Sequence, residues 1–156
     1  MALSPLTLTD IPEIMRLERR PGYEAFVGRW EADEHAAEMR SPDARYLGLR
    51  EGNGLAGFVI LQEFREPTIL LRRIAVAEAG RGVGGRLLRS LMDWVFDETL
   101  AEGLRLDVLP ANARARRAYS REGFTEYGEA DIHGLPHILM SIPRARWAEL
   151  RATEPR

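Results

Sequence analysis

Residues 74–91 read IAVAEAGRGVGGRLLRSL: an apolar strand, a loop with four glycines, then an amphipathic helix. Gly80, Gly82, Gly84 and Gly85 carry no side chains, so backbone N–H groups can converge on an anion at the helix start. The helix dipole points its positive end at the same place. The stretch therefore predicts a phosphate or pyrophosphate site; the plain alternative is a glycine-rich connector without a ligand. Leu87, Leu88, Leu91 and Val95 form the apolar stripe of the helix, which Gly103 is expected to help end.

A second stretch, Asn112 to Phe124, reads NARARRAYSREGF and follows the apolar strand Leu104–Leu109. On a helix, Asn112, Ala115 and Tyr119 share one narrow face, where the small Ala115 lets a ligand lie close. Arg114, Arg117 and Arg121 point the other way and read as a solvated face. Arg116 lies nearest the Asn/Tyr face, within reach of a phosphate.

Outward from these two stretches, the chain reads as a mixed α/β domain. Leu6–Leu8 is a short strand, and Asp10 with Glu13 forms a capping box opening a helix through Arg19. A second helix spans Glu31–Arg40. Tyr46–Arg50 and Leu55–Glu63 are strands joined by EGNG, a hairpin signal. Ile69–Val76 leads into the glycine loop. Two further strands lie near Thr125–Ala130 and His137–Ile142, and 144–156 reads as a peripheral tail after a single domain over 1–143.

Composition excludes several chemistries. The 156 residues make one domain, able to bury roughly two-thirds of its unfolded surface. A net charge of −2 argues against a nucleic-acid or anionic-membrane surface. No apolar run approaches the ~20 residues of a membrane helix, and no signal peptide is visible, so a soluble cytoplasmic protein is expected. With 0 cysteines there are no disulfides, thiolate metal sites or cysteine acyl-enzyme. All 22 cationic side chains are Arg, which removes the lysine of a Walker-type phosphate loop and any Schiff-base lysine. A transferase built here should use direct attack on a bound acyl donor. His35, His133 and His137 are the three histidines, too few and too scattered for a metal site.

The paired stretches resemble the GCN5-related N-acetyltransferase (GNAT) family. That family joins a Q/R-x-x-G-x-G/A loop to a downstream N-x-x-A-x-x-x-Y-x-x-x-G-F segment. Asn112, Ala115, Tyr119, Gly123 and Phe124 match the second segment completely. The loop fits in two registers. Gly82 and Gly84 on the family glycines put Ala79 where Gln or Arg is usual; Arg81 on the Arg position puts Arg86 where a small residue belongs. The first keeps both glycines and is preferred. MDWVF and LDVLPANARARRAYSREGF most resemble the branch acting on polyamines, ribosomal-protein N-termini and amino sugars.

The resemblance implies an α/β fold: a mixed, mostly antiparallel sheet of about seven strands, flanked by four helices, splayed between the fourth and fifth strands. It implies an acetyl-CoA-dependent N-acetyltransferase. The pantetheine arm would pair with Ile74, Ala75 and Val76, and the pyrophosphate would rest on Arg81, Gly82, Val83, Gly84 and Gly85, with Arg86 and Asn112 alongside. Tyr119 would protonate the departing thiolate. No metal is needed. The acceptor would be a small-molecule or peptide amine, with no nucleic acid or membrane partner and a homodimer allowed.

Three points stay open in the sequence. The general base is Asp107, Glu63 or His133, directly or through water. The acceptor pocket is expected between the two N-terminal helices and the last strand pair. Tyr23, Phe26 and Trp30 would line it, and Glu24, Asp33, Glu34 and Glu38 give either an acidic bias or a solvated helix face. Two other functions compete. Gly80, Gly82 and Gly85 also satisfy G-x-G-x-x-G of an NAD-binding oxidoreductase, with Asp107 about 20 residues on. A catalytically silent acyl-CoA sensor is the other.

Overall fold

The computed structural model describes residues 2–20, 30–78 and 80–154. In chain order the elements are β1 (Ser4–Pro5), α1 (Ile11–Glu18), α2 (Ala32–Met39), β2 (Arg45–Glu51), β3 (Gly54–Gln62) and β4 (Thr68–Val76). They continue with α3 (Val83–Glu98), β5 (Gly103–Val108), α4 (Ala113–Arg121), β6 (Thr125–Ile132), β7 (Leu135–Pro143) and α5 (Arg144–Thr153). The strands form one sheet ordered β1-β2-β3-β4-β5-β7-β6, with β4–β5 as its parallel pair. The expected seven-stranded mixed sheet is present.

Several local readings are corrected. The first strand is Ser4–Pro5, and a 3-10 turn occupies Leu8–Asp10. The Asp10 carboxylate reaches back to the Thr7 N–H at 2.8 Å and accepts from Arg50, so it does not cap with Glu13. Gly103 opens β5; α3 has already stopped at Glu98, where the Thr99 N–H and hydroxyl both donate to the Val95 carbonyl.

A fifth helix forms where the sequence suggests a peripheral tail. Arg144 at its start donates to the carbonyls of Phe96, Thr99 and Ala101 at 2.6–2.8 Å. A cation is thereby fixed where α3 leaves its last carbonyls unsatisfied. Asp93 accepts from Trp147 and Arg151, and the Trp147 ring lies 5.2 Å from Phe96. Leu150 closes over Gly123, whose φ is +109° and where a Cβ would sit 2.5 Å from Leu150 Cδ1. That glycine satisfies a left-handed helix end and a close approach at once.

Two apolar cores lie on opposite faces of the sheet. One joins α3 to Val59, Leu61, Ile69, Leu71, Leu104, Leu106, Met140 and Ile142. The other joins α1 to Tyr46, Phe58, Ile60 and Ala75. Between them the β4 register slips: Ile60 faces Arg73 while Leu61 faces Leu71, leaving Arg72 as a bulge. Leu71 therefore points to the α3 side, whereas Arg73 and Ala75 point to the α1 side. The bulge turns the strand over just after its last pairing with β5, at Leu70.

Candidate active site

The β4–β5 ladder covers Thr68–Leu70 against Gly103–Arg105 and then ends. Past that point Ile74, Ala75 and Val76 remain bonded to β3, and β5 remains bonded to β7. The sheet thus opens into a V whose two arms lead to the two stretches singled out in the sequence.

At the end of the β4 arm, Gly80 and Gly82 have φ of +80° and +73°, and Gly82 caps α3. Val83 is buried in the core and anchors the turn. Arg86 N–H donates back to the Gly82 carbonyl, so the amides of Val83, Gly84 and Gly85 form the unsatisfied first turn. A Cβ built on Gly82, Gly84 or Gly85 meets nothing within 4 Å, so the surface over these amides is open. A pyrophosphate fits such a turn. Arg86 is exposed, and Arg81 pairs with Glu78 at 2.7 Å, which raises its pKa. Ala79 lies outside the described residues. α3 starts directly after Gly82.

At the end of the β5 arm, Asn112 is the N-cap of α4 and not part of its face. Its Oδ1 accepts from the Ala115 N–H at 3.3 Å, which leaves the side-chain amide N–H groups for a ligand. Ala115 and Tyr119 are half-buried against the α3-side core, and the Tyr119 ring lies 5.7 Å from Phe124. Arg116 is committed elsewhere: it donates to Glu126 at 2.8 Å and to the Pro110 carbonyl at 3.1 Å. Arg114, Arg117 and Arg121 are exposed, as expected of a solvated face.

The three candidate bases separate clearly. Glu63 has φ of +52° at the closed end of the V and pairs with Arg105. His133 has φ of +51° at the exposed tip of the β6–β7 turn. Asp107 lies on β5 two residues past the last β4–β5 pair, on the sheet face opposite the α3-side core. Its Oδ1 is 4.0 Å from Nε2 of His137, a residue whose catalytic potential the sequence did not reveal. The two are diagonal neighbours across β5 and β7, 30 positions apart in the chain, and no spacing rule links them.

The splay, the glycine turn, Asp107 and the Asn112–Phe124 segment sit inside a stretch, residues 11–124, that matches the Acetyltransferase (GNAT) family. The chain belongs to the GNAT family. It is an N-acetyltransferase that draws its acetyl group from acetyl-CoA. Over 135 residues it is 30% identical to N-alpha-acetyltransferase RimI of Mycobacterium tuberculosis, covering 82% of this chain and 80% of that protein. A 76-residue stretch is 28% identical to aminoglycoside N(6')-acetyltransferase type 1 of Klebsiella pneumoniae; it covers 49% of this chain but 38% of that relative's length. The structure of a spermidine N-acetyltransferase SpeG chimera from Vibrio cholerae and hSSAT superposes with a TM-score of 0.80 at 21% identity, covering 94% of this chain and 97% of that one. At that identity the likeness is one of fold. The NAD-binding alternative fails on topology: a dinucleotide domain needs a doubly wound parallel sheet, and this sheet is antiparallel outside β4–β5.

In this GNAT domain α1 and α2 cover the β1–β4 half of one sheet face, and they carry a buried polar network. His35 Nδ1 lies 2.7 Å from the Tyr46 hydroxyl, and Nε2 lies 2.6 Å from Glu18 Oε1. Glu18 also accepts from Arg73, whose guanidinium stacks 4.5 Å over Trp30. Glu18 and His35 are 0% exposed. Burial, with Glu38 and Glu18 adding to it, pushes the Tyr46 hydroxyl well above its ordinary pKa. Burial also pulls the Arg73 guanidinium down, against the opposing pull of Glu18. Trp30 therefore serves this network. Asp33 and Glu34 are exposed, with Glu34 capping the Glu31 N–H, so they form a solvated helix end. Tyr23, Glu24 and Phe26 lie outside the described residues. Among the described residues no helix is long and apolar enough to cross a membrane.

Proposed function

We propose that this enzyme moves the acetyl group to a primary amine by direct attack in a ternary complex at the mouth of the β4–β5 splay. The observation that carries the reading is the splay itself, because its two arms end at the open glycine turn and at the Asn112 cap. The amides of Val83, Gly84 and Gly85 hold the pyrophosphate of the donor, with Arg81, Gly82 and Arg86 at its rim. The backbone of Ile74, Ala75 and Val76 receives the pantetheine arm, and the Asn112 side-chain amide donates to it. Tyr119 supplies the proton that the leaving thiolate takes up.

Asp107 acts as the base. A free primary ammonium has a pKa near 10.4, so it must lose a proton before attack at neutral pH. Asp107 stands partly exposed on the face opposite α3, just beyond the splay, whereas Glu63 is held by Arg105 and His133 sits on a turn tip. The acceptor is a small molecule or peptide carrying a primary amine; the relatives named for protein N-termini, aminoglycosides and spermidine support that breadth. The reading places the enzyme in the cytoplasm with its donor, requires no nucleic acid, and is compatible with a homodimer.

The test is thiol release from acetyl-CoA, followed with DTNB across an N-terminal peptide, spermidine and an aminoglycoside. At least one amine should accelerate release, and acetyl-CoA at about 100 times its Kd should add about 2.7 kcal/mol to stability. Stabilisation by acetyl-CoA with no turnover of any amine would identify a silent acyl-CoA sensor instead.

A further inference from the structure

The position of His137 matters beyond its nearness to Asp107. Its Nδ1 lies 3.0 Å from the Leu135 carbonyl oxygen, which can only accept, so Nδ1 carries the hydrogen. The neutral ring therefore turns the Nε2 lone pair toward Asp107 Oδ1, 4.0 Å away. Two acceptors face one another with room for a proton between them. Both side chains stand on interior strands of the sheet and keep 15% and 20% of their surface exposed. The frame is rigid, yet open enough for a proton to leave.

We propose that His137 stores the proton that Asp107 removes from the acceptor ammonium, taking it at Nε2 and releasing it to solvent. This rests on Asp107 being the base. The chemistry favours a pair over a lone carboxylate. Free carboxylic acids titrate near pH 4 and free imidazole near 6.5, so the imidazole is the better match to an amine at neutral pH. A carboxylate and an imidazolium so placed, 4.0 Å apart, are opposite charges on one sheet face. The protons balance. One ammonium proton passes through Asp107 to His137 and out. The second leaves nitrogen as the C–N bond forms and the C–S bond breaks, and ends on the CoA sulfur by way of Tyr119.

Among the described residues of β5, β6 and β7, other charges do not take the place of Asp107. Arg105 shares the β5 face but is paired with Glu63. On β6 the residue opposite His137 is Ala130, so Glu129 and Asp131 alternate to the other face. Leu135, Leu139 and Ser141 share its own strand face and do not titrate near neutrality.

The experiment compares His137→Gln, His137→Ala and Asp107→Asn with the parent enzyme, each first matched for acetyl-CoA affinity. His137→Gln should lower kcat at least tenfold and alter the pH profile of kcat/KM. Added imidazole should restore part of the kcat of His137→Ala, which loss of a packing contact would not allow. A His137→Gln enzyme with kcat within threefold and an unchanged pH profile overturns the proposal. If Asp107→Asn is then inactive, the base reading stands and the proton store alone fails. If Asp107→Asn keeps full turnover, both fall.

Discussion

One face of a single sheet holds two carboxylate–histidine pairs, and they have opposite characters. On the β1–β4 half, Glu18 of α1 and His35 of α2 face the sheet with no exposure; Glu18 also holds Arg73, and His35 also meets Tyr46. On the β5–β7–β6 half, Asp107 and His137 are partly exposed and 4.0 Å apart. A pair whose polar atoms are engaged and whose burial is complete has no site for a substrate and changes charge at great cost. A pair with an unfilled gap beside an opening in the sheet can accept a proton and release it. Residue type alone does not distinguish them; the cover of two helices does.

The largest expected effect lies on the covered side. Glu18→Ala strands the Arg73 guanidinium and the His35 ring in the core, and should cost about 3–5 kcal/mol, lowering Tm by roughly 6–20 °C. Thermal unfolding checks it, and a Tm within 2 °C of the parent would dissolve the contrast between the halves. Tyr119→Phe comes next, on the side of the splay. It keeps the ring against Phe124 and removes the hydroxyl, so kcat should fall about 10²-fold while acetyl-CoA affinity holds. Loss of stability with kcat kept within threefold would make Tyr119 a packing residue. Gly84→Val is smaller and sharpens the location of the donor. No atom outside its own turn of helix lies within 4 Å of the added Cβ, so the variant should fold normally. Its affinity for CoA should still fall at least tenfold, about 1.4 kcal/mol, in a titration. Unchanged affinity would put the phosphates elsewhere.

The succession of strands and helices through β7 and the glycine turn are legible because apolar runs and glycine clusters are local signals. The bulge at Arg72 is not. Both faces of β4 are covered, so the alternation of Ile69, Leu71, Arg73 and Ala75 continues unbroken while the strand turns over. The fifth helix was missed because arginines fasten it: Arg144 and Arg151 do work that apolar residues usually signal, leaving Trp147 and Leu150 as a thin stripe. Asn112 was placed on a helix face by periodicity alone, whereas its side chain is spent partly on the cap. Asp107 was visible as a candidate base, but its partner His137 comes from a strand that only the sheet register brings beside it.

The most direct test sets the two carboxylates against each other in one measurement: kcat for thiol release in Asp107→Asn, with Glu18→Gln as the control, each normalised to folded protein by its unfolding midpoint. The account predicts that Asp107→Asn loses at least 10²-fold in kcat with its midpoint nearly unmoved. Glu18→Gln should instead lose stability and keep most of its kcat per folded molecule. An Asp107→Asn enzyme that turns over within threefold of the parent would contradict the assignment of chemistry to the open half of the sheet.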